Sequence, residues 1–162
     1  MQSVVRNLNE TYEASPCSVA EGRTSLANFA ARAGATPSQV DAVRLATSEA
    51  MTNSVLHAYL GGPGLIYVNA AVASEELWIL ISDDGCGLKP RAERPGLGLG
   101  LGLISEVSDD FAVVSRATGG TEVRIRFNLV TADATAAEPA RAEGVGSGSG
   151  WRAGFTPSVS VA

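Results

Sequence analysis

Nothing in the 162-residue sequence approaches a run of ~18 apolar residues, which excludes a membrane-spanning helix. The first residues, Met1-Gln-Ser-Val-Val-Arg-Asn7, have no basic segment followed by an apolar one, so no secretory leader is expected. Basic charge is scarce as well. A net charge of −5 argues against direct binding of nucleic acid, which needs a basic patch to neutralise phosphates. The two cysteines, Cys17 and Cys86, have no metal-ligand spacing. They are free to pair in principle, but a reduced, cytoplasmic protein with two ordinary thiols is the simpler reading.

What is present is the composition of a globular protein, 45% apolar and 18% charged, with room for one ordinary domain. The composition changes at Thr131. Residues 131–162 are rich in Ala, Gly, Ser and Pro and include Gly144-Val-Gly-Ser-Gly-Ser-Gly150. Such a segment buries too little apolar surface to offset its ordering entropy, so a flexible tail is expected, with Trp151 and Phe155 as stray aromatics. Residues 1–130 form the domain, and its folded part starts at about residue 8.

Within the domain, Leu8–Ala14 reads as a strand. Ser15-Pro16 supplies an N-cap and a proline at the first helical position, opening a helix that ends at Gly34. Thr36-Pro-Ser-Gln39 is a capping box for a second helix running to about Tyr59, where Gly61-Gly-Pro63 stops it. Residues 65–73 and 76–82 read as strands joined by a hairpin turn, 88–98 as a loop, and 99–107 as a short apolar helix. Strands at 111–116 and 122–129 follow. Val123, Ile125 and Phe127 alternate with Arg124 and Arg126, which gives the last strand one buried and one wet face. The order β-α-α-β-β-α-β-β predicts an α+β two-layer sandwich, a mixed and mostly antiparallel sheet with its helices on one face.

Between Ser48 and Thr121 lie four short motifs. Glu49, Asn53 and His57 are spaced i, i+4, i+8 and share one face of the second helix. At a phosphate site the carboxylate can take a proton from a nucleophile and the amide oxygen can ligate Mg²⁺. Alone, these residues read more readily as a solvated polar helix face, and His57 as a packed or capping histidine. Asp83-Asp-Gly85-Cys-Gly87 ends a strand. Its first carboxylate can accept from an exocyclic amine, and its glycines admit a flat base. Alone, it reads more readily as a plain Asp-Gly turn after a strand. Gly96-Leu-Gly98-Leu-Gly100-Leu-Gly102-Leu-Ile104 makes a poor helix and a poor strand, but before a short helix it offers backbone N–H groups to an anion. No Gly-Lys-Ser/Thr follows, so it is not a Walker loop. A flexible lid hinge is the alternative, and the two are compatible. Gly119-Gly-Thr121 alone is a hairpin turn with a spare hydroxyl.

In this order and spacing the four segments, over residues 8–129, resemble the boxes of the GHKL superfamily of ATP-binding domains. Ser48-Glu-Ala-Met-Thr-Asn-Ser-Val-Leu-His-Ala-Tyr59 is similar to the N-box of the anti-sigma-factor serine/threonine kinases. The resemblance implies Glu49 as the general base toward a protein serine and Asn53 as the Mg²⁺ ligand. Asp83 would bind the adenine amine with support from Thr121. Gly85 and Gly87 would line the base, and Gly98, Gly100 and Gly102 would wrap the phosphates of ATP. Residues 88–98 would be the lid. It carries Lys89, Arg91 and Arg94, any of which could reach a γ-phosphate, though a solvated loop charge is the simpler reading of each. The resemblance further implies a homodimer that sequesters a sigma factor and phosphorylates a STAS-type anti-anti-sigma protein. Two other functions use the same pocket: a catalytically weak, nucleotide-gated protein-binding switch, and a histidine-kinase-like ATPase domain. The last is disfavoured because no helix with a phospho-accepting histidine precedes the domain, His57 being the only histidine.

Overall fold

The computed structural model of the protein describes residues 6–87 and 97–129. The expected tail at 131–162 and most of the expected lid therefore lie outside the described residues. Strand β1 (Arg6–Glu13) is followed by α1 (Pro16–Arg32) and α2 (Pro37–Asn53). A π turn (Ser54–Ala58) prolongs α2, and β2 (Leu65–Ala73), β3 (Glu76–Asp83), α3 (Leu97–Val107), β4 (Asp110–Ser115) and β5 (Thr121–Asn128) complete the order.

Both long helices start where capping chemistry places them. The Ser15 hydroxyl accepts from the Ser18 amide ahead of Pro16. Thr36 and Gln39 satisfy each other, with the Gln39 amide donating to Thr36 Oγ1 at 3.2 Å and the Thr36 amide donating to Gln39 Oε1 at 3.1 Å. The β2–β3 hairpin turns through Ser74 and Glu75, both left-handed with φ of 51° and 66°, as a tight two-residue connection with the twist of its strands requires.

The five strands lie in the order β1-β2-β3-β5-β4, and all four pairings are antiparallel. The two-layer α+β architecture expected from the sequence is observed, with β5 inserted between β3 and β4, but among the described residues the sheet is antiparallel throughout rather than mixed. Register sets the buried face: Ile66, Val68 and Ala70 of β2 stand beside Asp83, Ile81 and Ile79 of β3, and the latter two beside Val123 and Ile125 of β5. Against this face pack Leu26, Phe29 and Ala30 of α1, Val43, Ala46 and Ala50 of α2, and Ile104 of α3. Asp83 ends the buried row of β3, which is why it meets the helix layer rather than solvent.

The α2 stripe at positions 43, 47, 50 and 54 has helical core spacing, yet holds two hydroxyls. Ser54 finds a partner, described below. Thr47 is 0% exposed and its hydroxyl has no hydrogen-bond partner among the described residues. A buried, unpaired hydroxyl costs on the order of 1–3 kcal/mol. Thr47→Val, which keeps the shape and removes the polar atom, is expected to stabilise the fold by about 1 kcal/mol and raise Tm by roughly 4 °C. Urea and thermal unfolding of the two proteins check this, and a less stable valine variant would refute it.

Candidate functional site

The ends of α2, β3, α3 and β5 surround a cleft that opens to solvent. Asn53, Ser54, His57, Asp83, Gly87 and Thr121 border its polar part, and Leu101 and Val113 its apolar part. That mixture, a few converging polar groups on an apolar wall, is typical of a small-molecule site.

Asp83 is the most constrained group in it. The side chain is only 4% exposed, and burying a carboxylate is expensive unless it is well hydrogen-bonded. Three donors meet it. The amides of Gly85 and Thr121 reach Oδ1 at 3.0 and 3.2 Å, and the Ser54 hydroxyl reaches Oδ2 at 3.1 Å. Held in this way, the carboxylate presents its remaining acceptor capacity to the cleft.

The π turn serves the same loop from the other side. The last carbonyls of a helix have no intrahelical partner. Here Ala58 O accepts from the Cys86 amide at 2.8 Å, and His57 O accepts from the Cys86 thiol at 3.3 Å. The loop lies so close to the turn that a methyl on Gly85 would stand 2.3 Å from Ala58 O. Gly85 therefore serves close packing behind the cleft, while Gly87, at φ +71°, borders it.

The opposite wall joins α2 to the glycine-rich helix. Glu49 lies one turn before Asn53, and a methyl on Gly100 would sit 2.6 Å from Glu49 Oε2 and 3.6 Å from Asn53 Nδ2. The sequence predicts α3 to begin at residue 99, after a glycine loop. It begins at Leu97 instead, so Gly98, Gly100 and Gly102 all lie inside the helix. Packing of Leu101 and Ile104 against the core outweighs the poor helix propensity of glycine. As a result Gly100 and Gly102 have different surroundings. Gly100 is buried against Glu49, Gly102 is exposed with open space about it, and Gly98 lies in the first turn. Lys89, Arg91 and Arg94 lie outside the described residues.

The four motifs thus meet at one cleft. A family model of the histidine kinase-like ATPase domain matches residues 12–127. The chain belongs to that family. Among curated relatives of this ATPase domain, the anti-sigma F factor of Clostridium acetobutylicum is 30% identical over 123 residues, covering 67% of this chain and 85% of the relative. The anti-sigma F factor of Halalkalibacterium halodurans is 26% identical over 141 residues, covering 78% and 95% respectively. The fold is similar to a crystal structure of the RsbU and RsbW domains of a Mycobacterium tuberculosis protein. There the TM-score is 0.60 at 23% identity, covering 76% of this chain and 32% of that one, so the chain spans about a third of that longer protein.

Sequence reasoning missed Ser54, which borders the cleft, and Arg116, which stands behind it on the Asp83 carbonyl. Ser54 was legible as a hydroxyl on a core stripe, which demands a buried partner. Arg116 carried no such signal. Cys17 and Cys86 are both exposed and are not joined in a disulfide, and among the described residues no helix is long and apolar enough to cross a membrane.

Proposed function

We propose that the protein is an ATP-dependent protein serine/threonine kinase acting as an anti-sigma regulatory factor. The observation that supports it best is that the buried Asp83 carboxylate and the Asn53 amide border one cleft, with Glu49 one turn from Asn53. Asp83 is a fixed acceptor, suited to the exocyclic amine of adenine. Thr121 supports it through its backbone amide.

Among the described residues no cluster of three His, Cys, Asp or Glu could hold a metal on its own. Mg²⁺ does not need one at a nucleotide site, because phosphates and water fill most of its coordination sphere. The Asn53 amide oxygen fits the remaining place, and the ion would neutralise charge on the transferring phosphate. In the transfer, the serine oxygen of the acceptor bonds to the γ-phosphorus and the bond to the β–γ bridging oxygen breaks. The serine proton passes to Glu49, and ADP leaves. The resemblance supports Gly98, Gly100 and Gly102 as the glycines that would wrap the phosphates; of these, Gly100 lies against Glu49 and Gly102 is exposed.

The names of the relatives support a sigma factor as the sequestered partner. The resemblance of the N-box supports a STAS-type anti-anti-sigma protein as the phosphate acceptor, and a cytoplasmic homodimer as the working form.

Calorimetric titration with Mg²⁺-ATP tests the pocket. Saturable binding is expected, weakened at least about tenfold in Asp83→Asn, because the new NH₂ group faces donors where the carboxylate accepted from them. Absence of wild-type binding would remove the reading. Phosphate transfer to a STAS-domain protein then separates a kinase from a nucleotide-gated switch, which would bind ATP without transferring it.

A further inference from the structure

Arg116 stands immediately after β4 and opens the turn that returns as β5. Its Nη1 donates to the main-chain carbonyl of Asp83 at 3.0 Å and also pairs with the Asp84 carboxylate. The guanidinium lies over the Tyr67 ring, 5.8 Å from its centre, and the Tyr67 hydroxyl donates to the other oxygen of Asp84 at 2.7 Å. That hydrogen bond, ahead of desolvation, raises the Tyr67 phenol above its ordinary range and keeps it a donor. The Asp84 amide donates to Tyr59 Oη at 2.9 Å, and Tyr59 in turn donates to Leu65 O at 2.5 Å. The backbone of Arg116 closes its own turn, donating to Gly120 O at 3.2 Å and accepting from the Gly119 amide at 3.1 Å.

The place of this cluster relative to the sheet gives it meaning. The β3–β5 ladder ends at the pair Ser82–Glu122. Asp83 and Thr121, whose contact aims the carboxylate into the cleft, lie one residue beyond that last pair. The β4–β5 ladder likewise ends at Ser115–Thr121. No ladder pairing between β3 and β5 holds Asp83 against Thr121. Arg116 supplies that tie from outside the cleft, since the turn that carries Thr121 is fastened through its side chain to the Asp83 carbonyl.

We infer that Arg116 is a positioning residue for base selection, holding the Asp83 carboxylate at the angle from which it recognises an exocyclic amine. The inference rests on the reading of the cleft as an ATP site. As an ion pair the contact is weak, because the Arg116 and Asp84 side chains are 27% and 46% exposed. Its effect is geometric. A carboxylate that discriminates between bases must be held within about 0.5 Å and 10–20° of the productive geometry.

Inosine triphosphate keeps the ribose and phosphates of ATP and replaces the amine with a carbonyl oxygen. Affinities of the Mg²⁺ complexes of both nucleotides are measured for the wild type, Arg116→Ala and Arg116→Lys. The wild type should prefer ATP. Arg116→Ala should weaken ATP about tenfold while leaving inosine triphosphate within about twofold, so that the preference collapses. Arg116→Lys keeps the charge but cannot span the ring and the carbonyl together, and should follow alanine; it also serves as the folded variant if alanine fails to fold. A purely structural role would lower both affinities equally or neither, and either result, with the preference retained, overturns the inference alone. A wild type that binds both nucleotides equally overturns the base-site reading and the inference with it.

Discussion

Gly120→Ala is expected to destabilise the fold by about 3 kcal/mol and to weaken Mg²⁺-ATP binding by the remaining folded protein about 100-fold. Two costs add. Gly120 has φ +83°, a conformation that side chains rarely adopt. The methyl would also lie 1.9 Å from the Asp83 carbonyl oxygen and 2.7 Å from its carbon, both backbone atoms that no rotamer can move aside. The strand ends must then part, and with them go the Thr121–Asp83 hydrogen bond and the turn bond from Arg116 to Gly120. Gly119 next to it is the control. It has φ +97°, but its added methyl meets nothing within 4 Å. Gly119→Ala should therefore cost only about 1 kcal/mol of conformational strain and leave ATP affinity unchanged. Denaturant unfolding and calorimetry on both variants make the comparison. Equal losses of affinity in the two would show that backbone strain alone, and not the approach to Asp83, is what position 120 supplies.

The contrast between neighbouring glycines also shows what a sequence can and cannot disclose. Local chemistry was readable. Ser15-Pro16 and Thr36…Gln39 announce the starts of α1 and α2, because a cap is a contact between residues three apart. The alternation in β5 announces its buried face for a similar reason. Strand order was not readable, since the insertion of β5 between β3 and β4 is decided by packing across the whole sheet. The start of α3 was misplaced by two residues. Glycine propensity argued for a loop, and burial of Leu101 and Ile104 decided for a helix. The π turn left no trace in periodicity, yet it puts Ser54 on Asp83 and frees the carbonyls that hold Cys86. Of the site itself, the residue types and their order were legible in the motifs. Arg116 was not, because it acts across strands, and an arginine after a strand has no distinctive spacing.

Glu49 is the residue whose loss should separate chemistry from binding most widely. It projects from a helix anchored by the capping box at Thr36 and by the buried residues Val43, Ala46 and Ala50, so its backbone is not expected to move when its side chain changes. Gly100 approaches it closely, and the absence of a methyl group there leaves room for the carboxylate. A positioned general base contributes about 10²–10⁴-fold to a rate. Glu49→Ala is therefore expected to lower phosphate transfer to a STAS-type substrate by that factor and to leave ATP affinity within about twofold, since Asp83 and Asn53 remain in place. Glu49→Gln, which keeps the shape and loses the base, should be nearly as inactive. Gly100→Ala approaches the same point from the other helix. Its methyl would displace Glu49 Oε2, the movable end of a side chain, so the fold should survive while transfer falls at least about tenfold. Rapid-quench measurement of transfer beside calorimetry of binding distinguishes the outcomes. If all three variants lose ATP binding in proportion to transfer, Glu49 shapes the nucleotide site and is not its base. If the glutamine variant transfers phosphate at the wild-type rate, the base lies elsewhere.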